Sequence, residues 1–135
     1  MAGKRLKTKA QAVRRQWRDY RTPAGGRPVK AFLDDLNDEE VAAIVAGMKE
    51  VADRGLPAAK HLRGDIYDVR ADASTRSFRL LFSAEGKYSQ VLLSLSAFTK
   101  ETQKTPQREL DVAEDRLRDW RQRGTAKGKP GRRPS

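Results

Sequence analysis

Cysteine is absent from the 135 residues and histidine occurs once. The first absence excludes disulfides and thiolate metal sites. The second leaves His61 without the partners of a Ser-His-Asp triad or a histidine-based metal site, and the segment it occupies suggests a loop or surface residue. Long apolar runs are missing as well. Nothing approaches the roughly 18 consecutive apolar residues of a membrane span. The opening MAGKRLKTKAQAVRR is basic but is followed by no apolar signal-peptide region. Glycine-rich phosphate loops of Walker or Rossmann spacing are also lacking. These absences leave a cytoplasmic location and no membrane partner as the expectation.

What is present is charge, unevenly placed. Lys and Arg number 29 against 18 Asp and Glu, for a net +11. Six of those basic residues and no acid fall in 1–15, and four more fall in 124–135, so 16–123 holds 19 against 18 and is nearly neutral. The chain therefore divides into a basic, flexible N-terminal tail (1–15), one domain (16–123) and a basic C-terminal tail (124–135) whose Gly and Pro content predicts disorder. Such tails either solubilise the chain or add salt-dependent phosphate affinity. An apolar fraction of 37% supports one modest core.

Within the domain, Trp17–Arg21 suggests a short strand, ended by the turn Pro23-Ala24-Gly25-Gly26. Pro28 opens a helix whose Val29, Phe32, Leu33 and Leu36 share one face. Asn37 and Glu40 form a capping box for a second helix, with Val41, Ile44, Val45, Met48 and Val51 as its apolar stripe and Gly55 as its stop. The period then changes. Asp65–Asp72, Thr75–Ser83 and Lys87–Phe98 are rich in β-branched and aromatic residues and sit at hairpin separations, which predicts an antiparallel meander. The last, apolar on both faces for half its length, belongs in the interior of the sheet. Thr105-Pro106 then starts a closing helix with Leu110, Ala113, Leu117 and Trp120 on its buried side. The result is an α+β domain of order β-α-α-β-β-β-α, a three-strand meander plus an N-terminal strand, with helices on one sheet face.

Chemistry rests on basic side chains of the meander. If Phe78, Leu80 and Phe82 face the core, Arg79 faces away, and Arg70 opposes Tyr67 and Val69. Lys100 and Lys104 follow the last strand, on which Ser94, Ser96 and Phe98 share parity. Convergent cations of this kind can hold a phosphodiester and stabilise its pentacoordinate transition state. In RNA the nucleophile is already present as the 2′-hydroxyl. Asp68 and Asp72 share the parity of Arg70 and suggest a solvated edge.

From about Trp17 to Arg123 the chain resembles the phage-derived, HigB-like branch of the RelE/ParE toxin superfamily. The matching segments are GGRPVKAFLDDL, LRGDIYDVRA, RSFRLLF and LLSLSAFTKETQKTPQRELDVAEDRLRDW. The resemblance implies the toxin of a type II toxin–antitoxin pair, an endoribonuclease that cuts mRNA on the ribosome, needs no metal or other cofactor, and leaves a 2′,3′-cyclic phosphate. It also implies a cognate antitoxin of helix-turn-helix type, through which operator DNA would be bound. Arg79 matches the superfamily's phosphate-stabilising arginine, Arg70 the basic position on the preceding strand, and Lys100 and Lys104 the basic pair after the last strand. Phe98 is placed to stack on a splayed base, with Ser96 and Ser94 beside it. Where related sequences often carry His or Tyr this chain has Ser96, a poor proton acceptor at neutral pH. The same fold also serves ParE-like gyrase inhibitors, and a catalytically inactive RNA- or partner-binding module would share it too.

Overall fold

A computed structural model describes the backbone of residues 14–132 and the side chains through residue 124. Most of the N-terminal tail lies outside the described residues. The order is β1 (Gln16–Asp19), α1 (Pro28–Asp34), α2 (Asp38–Arg54), a 3-10 turn (Leu56–Ala58), β2 (Lys60–Arg63), β3 (Ile66–Asp72), β4 (Ser77–Glu85), β5 (Val91–Thr99) and α3 (Gln107–Arg132). The strands form one five-stranded sheet in the order β1-β5-β4-β3-β2, antiparallel except where β1 runs parallel to β5. The expected meander is present, and β2 lengthens it by one strand. His61 is therefore a strand residue; its Nε2 lies 2.8 Å from the Gly64 carbonyl.

The helices do not share one sheet face. On the first face, Val69, Ala71, Phe78, Leu80, Phe82 and Leu92 form a core with Val29, Ile44 and Val51 of α1 and α2. Trp17 locks β1 onto this side, donating its indole N–H to the Met48 carbonyl at 2.8 Å and meeting Phe82 edge-on at 5.1 Å. On the second face, Leu81, Leu93, Leu95 and Ile66 pack against Ala113 and Leu117 of α3. The reason is the apolar character of β4 and β5 on both sides, which one layer of helices cannot cover. Helix α3 continues to Arg132, into the stretch read from sequence as a tail.

Helix α2 starts as its sequence dictates, with Asn37 and Glu40 completing a reciprocal capping box, and it stops at Gly55, whose φ of 85° suits glycine. Its apolar stripe is rotated from the expected one: Ile44 and Val51 are buried, but Val45 is 51% exposed. Gly47 lets α2 approach β3 closely, since a Cβ there would lie 2.7 Å from Val69 Cγ1. Glu40 itself is buried and accepts hydrogen bonds from Thr75 Oγ1, from Arg76 Nε and Nη2, and from the Asn37 amide. These donors, Arg76 first, pull its carboxyl from the ordinary 4.5 to about 2. The same contacts hold Thr75 and Arg76 in a turn, so β4 begins at Ser77.

Candidate active site

Antiparallel register brings Arg70, Arg79 and Phe98 side by side across β3, β4 and β5, because Arg70 pairs with Arg79 and Arg79 with Phe98. The next row on the same face is Asp68, Leu81 and Ser96. Directly opposed residues lie about 5 Å apart, so the two rows form a compact patch on the second face. Helix α3 reaches only part of that face, over Leu81, Leu93 and Leu95. Phe98 packs at the margin of that same core, and Gln103 and Thr105 cover the guanidinium of Arg79.

Two arginines placed opposite each other repel, and Asp68 is what stands between them. Its Oδ2 lies 3.8 Å from Arg79 Nε and 4.0 Å from Arg70 Nε. Neither of its carboxylate oxygens has a hydrogen-bond partner, and its side chain is fully buried. Asp68 is thus no solvated edge residue, contrary to its reading from sequence; β3 lies inside the sheet, between β2 and β4, and not at its edge. Burial pushes its carboxyl up, and the charges of Arg70, Arg79 and Lys60 oppose that shift without cancelling it.

Arg79 faces away from the first core, as its parity requires, but it does not lie open. Only 2% of its side chain is exposed. Its Nη1 donates to Thr105 Oγ1 and its Nη2 to the Gln103 carbonyl, both at 2.8 Å. Thr105 therefore spends its hydroxyl as an acceptor for Arg79. Arg70 is exposed at the rim. The two lysines flank different hollows: Lys100 lines one with Ser77 and Gln103, while Lys104 lines another, of about 350 Å³, with Phe98, Arg108 and Glu109.

The serines separate. Leu81 pairs with Ser96 and Phe82 with Ser94, so Leu95 is an extra residue in β5, a β-bulge. The bulge reverses parity partway along the strand. Ser94 consequently turns to the first face, where its Oγ donates to Asp19 Oδ1 at 2.8 Å. Ser96 and Phe98 stay on the second, so the expectation that all three line one surface holds for two. Arg116 of α3 satisfies the Leu95 carbonyl at the bulge, Nη1 to oxygen 2.8 Å. Ser96 then donates its hydroxyl to Glu109 Oε1 at 2.9 Å.

Sequence reasoning missed Glu109 and Arg116. Glu109 sits in the first turn of α3, where an acid is ordinary for the helix dipole. Its place beside Ser96 depends on a bulge for which the sequence carries no turn residue. Among the described residues no group of three or more His, Asp or Glu side chains is arranged to hold a metal ion, and no helix is long and apolar enough to cross a membrane.

Residues 31–118 match the family described as phage-derived protein Gp49-like (DUF891). Over 108 residues the chain is 35% identical to the probable endoribonuclease HigB1 of Mycobacterium tuberculosis, in strains CDC 1551 / Oshkosh and ATCC 25618 / H37Rv alike. The match covers 78% of this chain and 84% of that relative. With the family model spanning most of the domain and the relative most of its own length, the chain belongs to the Gp49-like family, among the HigB-like toxins of the RelE superfamily.

Proposed function

We propose that this protein is the toxin of a type II toxin–antitoxin pair and an endoribonuclease that cuts mRNA through its own 2′-hydroxyl. The observation that carries this reading is the Arg70–Arg79–Phe98 row beside the hollow lined by Lys104 and Arg108. The relatives named as probable endoribonucleases support it. An aromatic ring next to cations suits a single-stranded nucleotide, its base stacked and its phosphate neutralised. Arg70, Lys100 and Lys104 hold phosphates at the rim. Ser94, turned to the other face, acts through the fold of β5 and has no RNA contact.

Arg79 has two tasks in this reading. With the chain as it stands, it anchors Gln103 and Thr105 and so positions the segment that carries the lysines. To reach the scissile phosphate, it must exchange those two acceptors for phosphate oxygens, which are stronger partners because they are charged. The substrate is mRNA on the ribosome, the site of action is the cytoplasm, and the domain 16–123 suffices for the chemistry. The basic tails add salt-dependent affinity. A cognate antitoxin of helix-turn-helix type neutralises the toxin by covering the basic row, and operator DNA is bound only through it.

The test is cleavage of an mRNA bound to bacterial ribosomes by purified protein, with the new ends characterised. Cyclic phosphate at the 3′ end and hydroxyl at the 5′ end are expected, with loss of cutting in the Arg70→Ala/Lys104→Ala double variant. Both changes are at exposed positions and should leave folding intact. Binding of RNA without any cut would support the inactive binding module. DNA breaks and altered plasmid supercoiling in expressing cells would instead support a gyrase inhibitor.

A further inference from the structure

The reaction just proposed lacks a proton acceptor, and the sequence supplies neither a nearby histidine nor a tyrosine. His61 is committed to the far edge of the sheet, against Tyr67 and the Gly64 carbonyl. We infer that Glu109 is the catalytic base, with Ser96 as the residue that positions it. This inference rests on the endoribonuclease reading and adds the group that removes the 2′-hydroxyl proton.

Two features converge on this carboxylate, and the bulge in β5 accounts for the second. It borders the hollow that also contains Phe98, Lys104 and Arg108, so base, stacking ring and cations share one opening. It is partly buried and fixed by the Ser96 hydroxyl at 2.9 Å, which leaves its other oxygen free to accept. Finally, Ser96 reaches it only because the Leu95 bulge keeps Ser96 on this face, and that bulge is stitched to α3 by Arg116. Bulges beside sites commonly re-aim a side chain in this way. Without the bulge, Ser96 would turn to the first face and Glu109 would have no fixed orientation.

Ser96 lies in the sheet row next to that of Arg79 and Phe98, and Glu109 lines the same hollow as Phe98, Lys104 and Arg108. The charged groups around Glu109 are Lys104 and Glu101 from the preceding segment and Arg108 from its own helix, with Arg79 across the sheet. In the step itself, the 2′-hydroxyl proton passes to the Glu109 carboxylate as the 2′-oxygen bonds to phosphorus. The bond from phosphorus to the 5′-oxygen breaks, and that oxygen takes a proton from solvent water. Glu109 then returns its proton to solvent, so the cycle closes with a 2′,3′-cyclic phosphate and no net proton change on the protein.

The experiment is single-turnover cleavage of ribosome-bound mRNA by the full chain across a pH series, with Glu109→Gln, Ser96→Ala, Glu109→Asp and Asp115→Asn compared. Asp115 is an exposed carboxylate elsewhere on α3 and serves as the control. Glu109→Gln is expected to slow cutting by about 10²–10⁴-fold, the usual share of general base catalysis. It should also lose the rise of rate with pH expected of the wild type, while binding a 2′-deoxy-substituted RNA at least as tightly. Glu109→Asp, still a carboxylate, should keep that rise at a reduced rate. Ser96→Ala should keep it too with a smaller loss, and Asp115→Asn should match the wild type. A wild type that cuts while Glu109→Gln cuts equally fast, with the same pH profile, overturns the inference and leaves the endoribonuclease reading standing. A wild type that binds and never cuts overturns both. Should Glu109→Gln fail to fold, the Glu109→Asp profile decides: loss of its pH-dependent rise would contradict the assignment.

Discussion

On one face of the sheet, Val69, Phe78, Leu80, Phe82 and Leu92 meet α1 and α2 in a continuous apolar contact. On the other, α3 rests on a smaller patch around Leu81, Leu93 and Leu95, and polar ties hold its rims. Arg63 bonds to Asp111 and Glu114, Arg121 to Asp65 and Glu85, and Tyr20 to Asp119. Apolar burial scales with area and needs no particular partner, so the first face packs over most of its length and leaves a hollow beside Gly47 and Val69. Directional polar ties leave gaps, and exposed ion pairs add little stability. On the second face Arg70 is exposed at the rim, while Arg79 lies beneath Gln103 and Thr105 and Phe98 packs at the margin of the core. Both faces bury apolar side chains, and the second adds a buried polar row around Asp68 and Arg79.

The largest effect expected from breaking this contrast is on the first face. Phe82→Ala removes a fully buried ring packed on Trp17 and Tyr67 and should cost about 3–5 kcal/mol, read from urea unfolding. Gly47→Ala should come next, at roughly 1–3 kcal/mol for the forced separation of α2 from Val69. That loss would outweigh the gain of about 1 kcal/mol that alanine otherwise brings to a helix interior. A Gly47→Ala variant as stable as the wild type would show that the first face is more loosely packed than described.

Two titrations sharpen the comparison further. Glu40 has a lowered carboxyl, so its contribution is present above its ordinary 4.5 and lost as pH falls toward about 2. Glu40→Gln should therefore be less stable than the wild type at neutral pH, with the two converging in acid. Asp68 on the second face has the opposite sign, because its carboxyl is raised. The folded state favours its protonated form, and stability is lost as pH rises through the carboxylate range. Asp68→Asn should accordingly unfold at higher urea than the wild type near neutral pH, with the advantage shrinking in acid. A variant less stable than the wild type at every pH would mean that Arg70 and Arg79 need the charge more than burial penalises it.

How much of this was legible in the sequence follows the same division. The capping box at Asn37 and Glu40, the stop at Gly55, the meander and the buried side of α3 all follow from local pattern, and all are found. The interior place of β5 followed from its two apolar sides. That same signal also called for a second helical layer, which was not drawn from it. Parity put Arg70 and Arg79 on the face away from the first core, where both lie, and position put Lys100 and Lys104 after β5. Parity failed at Ser94, because a single bulged residue inverts every position beyond it and leaves no mark in composition. The burial of Arg79 depends on how Gln103 and Thr105 fold back over the sheet, a long-range event that no local pattern encodes. Glu109 was invisible because its place beside Ser96 depends on the bulge.

The most direct test of the central claim, that the Arg70–Arg79–Phe98 row of the second face cuts RNA, is made in cells. The chain would be induced alone in bacteria, and new RNA 5′ ends mapped across the transcriptome, beside an Arg70→Ala/Lys104→Ala control expressed to the same soluble level. Growth arrest with new ends inside translated codons, absent from the control, is the result predicted. Arrest with no new ends, or the same ends in wild type and control, would contradict it.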